Sequence, residues 1–421
     1  LDWNRTISLE GDSLRLDNSI LGPEVGSSQS DEAIFVIAGR IDITSSFVNI
    51  STVSFISGFA AINDFDFGYT HLNLTVEGYI YLNSSTLDSS TVILDSGNLK
   101  VRDSTLENFA ITADDIHIYQ SILDSSSSNI QLTAYKLKVI ESSIDTNYLF
   151  YIVVDDIDVL DSYLNATTSS GQLKILADEV DITDSIIQVQ GTLNLTANDT
   201  YMYNTPLTGN TIILDSDILE LEDYGLTATH LEIVTGSDFT LDPDSNITIE
   251  TGYLTAGYVK IVDSTVNFVY VEAARLYMYQ SIINNTCDSD MKCGVRVTGS
   301  SETKLIESLI NLTSETQADV IIKGSNVKII ESVIQVNSDV ASTMELNAST
   351  KLWLTESIIE QFGSDSTLTL ICPSYSFSDY SIKSNYNLNI ETSADFTIDE
   401  DTSIKFVYFD LSADDIGFYS A

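Results

Sequence analysis

An eleven-residue frame, clearest at Ala177–Ile187 (A-D-E-V-D-I-T-D-S-I-I), constrains this chain more than any other feature. Val180 and Ile182 alternate with polar neighbours, the period-2 signature of a half-buried strand. Asp184-Ser185 is turn chemistry, since both side chains can hydrogen-bond nearby backbone and bend the chain. Ile187 opens a second strand. The stretch reads as strand, corner, strand.

The frame recurs with its serine at Ser19, Ser46, Ser85, Ser104, Ser121, Ser142, Ser162, Ser185, Ser264, Ser281, Ser308, Ser332 and Ser357. Five residues earlier an apolar residue is the rule, from Leu14 and Ile41 to Val327 and Leu352, with Thr303 the exception. Two residues later comes Leu, Ile or Val in every copy. Eight residues earlier usually stands a small residue, as at Gly11, Ala38, Ala113, Ala177, Ala256, Ser300 and Gly324. Looser copies centre on Thr205, Tyr224 and Ser245. A repeat running nearly end to end overrides the two or three domains that 421 residues would otherwise suggest.

Spacing between copies runs from 17 to 27 residues and clusters near 20. About three short strand signals per copy fit one coil of a parallel β-helix. A left-handed β-helix is built on strict hexapeptides, and the unequal steps here break that rule. The expected fold is therefore all-β: a right-handed parallel β-helix (β-solenoid) of roughly eighteen coils, about 4.8 Å each, in a rod on the order of 90 Å long. Residues 1–421 read as a single continuous β-helix domain with a divergent aromatic coil over 47–84 and a Cys-containing loop insertion over 284–300. The chain opens in mid-pattern, without a secretory signal, and stops in mid-coil at 417–421. The expectation is a mature chain or segment that continues, or docks on another copy, at one or both ends. No run of 18 apolar residues marks a transmembrane helix.

A net charge of −44 argues against nucleic acid and anionic membrane as direct partners, because phosphate binding needs basic patches. It suits an extracellular, cation-rich setting. Cys287 and Cys293, six apart with turn residues between, read as a local disulfide, and Cys372 as a buried free thiol. Asn-x-Ser/Thr sequons stand at Asn4, Asn49, Asn73, Asn83, Asn165, Asn194, Asn198, Asn246, Asn284, Asn311 and Asn347, as on a glycan-coated eukaryotic surface protein.

Two outward stripes carry charge. The residue before the anchor serine is largely acidic, and Glu141, Asp161, Asp184 and then Glu307, Glu331, Glu356 fall on consecutive coils. These six are either solvated turn residues or weak Ca²⁺ ligands, and Ca²⁺ is the only cofactor the chain suggests. The residue four before the anchor collects Arg15, Lys100, Lys138, Lys260, Lys304 and Lys328 with Tyr81, Tyr277 and Trp353. This face either binds acidic sugars or a neighbouring rod's acidic stripe, or simply uses Lys to discourage edge pairing and Tyr for strand propensity. His71, His117 and His230 are the only histidines and no two fall at metal-ligand spacing. No G-x-S-x-G, H-E-x-x-H, P-loop or Rossmann fingerprint is present.

The frame A-x-x-I-x-I-x-D-S-x-I, as at 113–123 and 177–187, resembles the degenerate repeats of right-handed parallel β-helix proteins of the pectin-lyase-like architecture. Within it, the chain looks most like large extracellular repeat proteins of protists and haemagglutinin-type adhesin stalks. The N-T-D, G-H-G and R-I-K motifs of pectin-active members are lacking, so the resemblance implies a fold and no activity. The expected function is a non-enzymatic structural protein, a glycosylated building block of an extracellular fibre, coat or surface appendage, whose partners are N-linked glycans and other copies or extracellular proteins. The alternatives are an adhesin stalk binding carbohydrate or another cell surface and, third, a polysaccharide lyase or hydrolase.

Overall fold

The computed structural model describes residues 6–21, 33–48, 52–68, 71–88, 91–125, 129–268, 270–287, 293–299, 301–393, 396–398, 402–413 and 416–418. Among them every regular element is a strand and none is a helix. The strands wind into a parallel β-solenoid of about 17 turns of roughly 20 residues. The chain divides into two compact units, Leu1–Ile212 and Ile213–Ala421.

Each coil contributes a strand to three parallel sheets. In the first unit, sheet A contains Ile130–Thr133, Leu149–Val153 and Gln172–Leu176. Sheet B contains Lys136–Ile140, Asp156–Leu160 and Glu179–Thr183. Sheet C contains Ser143–Thr146 and Tyr163–Ala166 and takes up the opening of Ile186–Tyr203. In other coils the A and B strands run on as one bent strand, as in Ala33–Thr44 and Thr91–Arg102.

In-register pairing turns the sequence frame into columns. Sheet A stacks Leu132, Ile152, Ile175 and Leu195; sheet B stacks Val139, Val159, Ile182 and Met202; sheet C stacks Ile144, Leu164 and Ile187. All are buried. Burying each such side chain is worth roughly 1.5–3 kcal/mol, and alternation puts every second residue outside.

The turn before sheet C explains the frame's serine. Ser142, Ser162 and Ser185 are buried, and each hydroxyl donates to the carbonyl two residues back, at 2.6, 2.7 and 2.7 Å. Each hydroxyl also accepts the backbone N–H of the serine one coil earlier: Ser121 to Ser142 at 3.2 Å, Ser142 to Ser162 at 3.2 Å, Ser162 to Ser185 at 3.0 Å. The second unit repeats this from Ser264 through Ser281, Ser308 and Ser332 to Ser357. A serine is short enough to bond its own turn and still serve the neighbouring coil, so a bend that would otherwise bury unpaired amides is satisfied.

In the 47–84 stretch, strand Thr52–Asn63 leads into Asp64 and the buried Phe65, which occupies the serine's place. Phe65 N–H donates to Ser85 Oγ at 3.3 Å, so the column is entered but not extended by a hydroxyl. Thr205 keeps the hydroxyl, bonding Tyr203 O at 2.9 Å. Tyr224 fills its position with a fully buried ring whose hydroxyl has no hydrogen-bond partner. At the A-to-B bend of the first unit, a Cβ on Gly39 or Gly78 would lie 2.9 or 2.6 Å from a carbonyl oxygen of the preceding coil, so no larger residue fits that approach. Ser300 of the frame lies outside the described residues.

Candidate functional site

The acidic stripe lies at the corner itself. Glu141, Asp161, Asp184, Glu307, Glu331 and Glu356 all have φ of 47–49°, the left-handed region. The same conformation recurs at Asn18, Asp64, Asp103, Gln120, Asp223 and Asp263. Their amides are used in the coil-to-coil ladder: Glu141 N–H donates to Leu160 O, Asp161 N–H to Thr183 O, and Glu331 N–H to Thr355 O. Side chains at several corners pair along the stack, with Gln120 donating to Glu141 at 2.7 Å, Asn204 to Asp184 at 2.7 Å and Gln280 to Glu307 at 2.7 Å. Among the described residues no three His, Cys, Asp or Glu side chains are grouped so that they could hold a metal ion.

The basic stripe lies on the outer face of sheet B. In the second unit it runs Lys260, Tyr277, Lys304, Lys328, Trp353 on successive coils. A parallel column two residues earlier adds Tyr258, Arg275, Glu302 and Lys351, which a search on one frame position misses although the strand period of two would have found it. Glu302 receives Lys304 at 2.8 Å and Lys328 at 2.7 Å, and these hydrogen bonds hold its carboxyl below the ordinary value. The guanidinium of Arg275 lies 4.7 Å from the Tyr258 ring centroid. Lys328 and Lys351 flank the Trp353 indole at 5.0 and 4.8 Å. Burial pushes the Tyr258 phenol up, with Arg275 opposing it. The result is a cationic face whose aromatic rings hold the charges in place.

The corresponding face of the first unit changes sign along its length. Tyr81, Lys100, His117 and Lys138 succeed one another, Lys100 standing 5.9 Å from the Tyr81 centroid. Asp158 and Asp181 follow in the same column, beside Asp156, Glu179 and Asp199 in the next. Among the described residues only Lys138 is joined to this group by an ion pair, to Asp158 at 2.7 Å. Arg15 pairs with Asp17 at 3.6 Å.

The described sequon asparagines all face outward: Asn73, Asn198, Asn246 and Asn284 are exposed, and Asn83, Asn165, Asn194, Asn311 and Asn347 half-buried. Asn4 and Asn49 lie outside the described residues. Asn284 and Asn311 face each other across adjacent strands of sheet C, Asn311 donating to Asn284 at 2.8 Å. In the second unit the sequons occupy sheets A and C, and the described outer face of sheet B carries none.

Cys287 and Cys293 are disulfide-bonded, tying the end of sheet-C strand Ile282–Cys287 to the next sheet-A strand Cys293–Val297. The intervening 288–292 lie outside the described residues. Cys372 is free and buried, and burial pushes its thiol up, away from the reactive thiolate. The chain matches no protein-family model, no curated protein and no solved structure.

Proposed function

We propose that the chain is a non-enzymatic structural protein, a glycosylated building block of an extracellular fibre, coat or surface appendage. The observation that carries this reading is the placement of the sequons: none of the nine described asparagines is buried, and they recur on both units. The Cys287–Cys293 bond fits an oxidising compartment, and the unequal coil lengths favour right-handed winding. The interior supports the same role, being filled with aliphatic columns and the serine ladder. Peptide mass spectrometry after enzymatic deglycosylation, with electron microscopy of native material, tests it. Asparagine-linked mass on several of these sites and polymerised particles are expected. Bare asparagines and isolated monomers would refute it.

The basic and aromatic face around Trp353 favours a second reading, an adhesin stalk binding carbohydrate. A glycan-binding screen separates the two. Binding abolished by Trp353→Ala would support the stalk, and its absence leaves the building block.

A further inference from the structure

We infer that the cationic outer face of sheet B in the second unit docks the acidic outer face of sheet B in the first unit of another copy of this chain. The inference rests on the reading of the chain as a fibre or coat subunit and supplies its lateral contact. Three observations converge on it. The charges are complementary and built on the same lattice. Arg275, Lys304, Lys328 and Lys351 occupy four successive coils, and Asp156, Asp158, Glu179, Asp181 and Asp199 occupy three, each set stepping by one strand spacing of about 4.8 Å. One face can therefore meet the other coil for coil. A cationic face is also conspicuous in a chain of net charge −44, and its rings at Tyr277 and Trp353 supply the flat, low-entropy contact area that interfaces favour. Finally, the second unit's sequons stand on sheets A and C, leaving this face without a sugar to exclude a partner. In the first unit Asn198, at the A-to-B bend, marks the rim of the acidic face, its amide donating to Asp178 at 3.2 Å.

Each copy offers one face of each kind, so the contact is heterologous and can propagate from copy to copy. Its dependence on salt is distinctive. At about 0.01 M ionic strength the Debye length is roughly 30 Å, and the repulsion between two strongly acidic chains acts over that whole distance. Near 0.15 M it contracts to about 8 Å, leaving the touching pairs but removing most of the repulsion, and at about 1 M the pairs are screened as well. Association should pass through a maximum at intermediate salt.

The test is sedimentation velocity of the full chain across that salt series, with charge swaps. Lys304→Glu/Lys328→Glu and, separately, Glu179→Lys/Asp181→Lys should each weaken self-association by at least about tenfold. Mixing the two swapped proteins should restore it. Lys304→Gln/Lys328→Gln, which adds no new repulsion beside Glu302, should weaken it in the same direction and guards against misfolding. A chain monomeric at every salt concentration, or association indifferent to all the swaps, overturns the contact. In the second case native polymers would still support the building-block reading, whereas monomers in the native material would remove that reading itself.

Discussion

Ser185 carries three tasks in one short side chain: it bonds the Thr183 carbonyl, accepts the Ser162 amide and stays small enough for the bend. Ser185→Ala leaves a buried N–H without its acceptor and should cost about 1–3 kcal/mol, read as lost amide-exchange protection at Ser162 and its neighbours. Ser185→Thr should cost less, since the next coil already carries a threonine, Thr205, at the same place with its hydroxyl bonded to the carbonyl two residues back. Tyr224 makes the opposite case. Its buried hydroxyl has no partner, so Tyr224→Phe should stabilise the second unit by about 1–2 kcal/mol in chemical denaturation. Burial raises this phenol above its ordinary value of 10.0. Its contribution is therefore complete below pH 10 and lost as pH rises, and the Phe variant should resist alkaline unfolding better. The serine column was legible in the sequence because one residue type is imposed by one geometry. The left-handed corner before it was not, because Glu at 141, 307, 331 and 356 is a residue type that does not announce φ near 48°. Phe65 was missed as a corner because it replaces the hydroxyl by bulk.

At the scale of strands, the apolar columns were legible for the reason that every second residue must enter the core, and Ile41, Val180 and Leu352 do. The faces were less so. The acidic group on sheet B of the first unit is invisible against an acidic background until the register lays Asp158 beside Asp181. The Glu302 cluster offers a measurable handle. Hydrogen bonds from Lys304 and Lys328 depress its carboxyl below 4.5, so its contribution is present above that pH and lost as pH falls through the lowered value. Glu302→Gln should therefore flatten the acid limb of the stability profile below about pH 4.5, while the wild type falls more steeply. The disulfide acts on a short loop. Chain-entropy reasoning gives it about 2 kcal/mol, so Cys287→Ser/Cys293→Ser should loosen strands Ile282–Cys287 and Cys293–Val297 in hydrogen exchange and leave distant coils protected.

For the molecule as a whole, a charge of −44 makes solvent ions part of the stability balance. Raising salt from about 0.01 to 0.15 M should raise the midpoint of thermal unfolding by screening self-repulsion. About 17 turns rather than the roughly eighteen expected wind the chain, and within the second unit coils of 17 and 27 residues keep the same serine-to-serine bond. Sheet C takes up part of the length difference, its strands running from two residues at Thr265–Val266 to six at Ile282–Cys287. The serine ladder has one more consequence. Every amide in it points toward the following coil and every hydroxyl receives from the preceding one. The column is thus a one-way street, with a donor side and an acceptor side that cannot be exchanged. Any coil stacked onto it, from the same chain or another, must arrive facing the same way. The polarity of a larger structure built through that column would already be written in the direction of a single N–H bond.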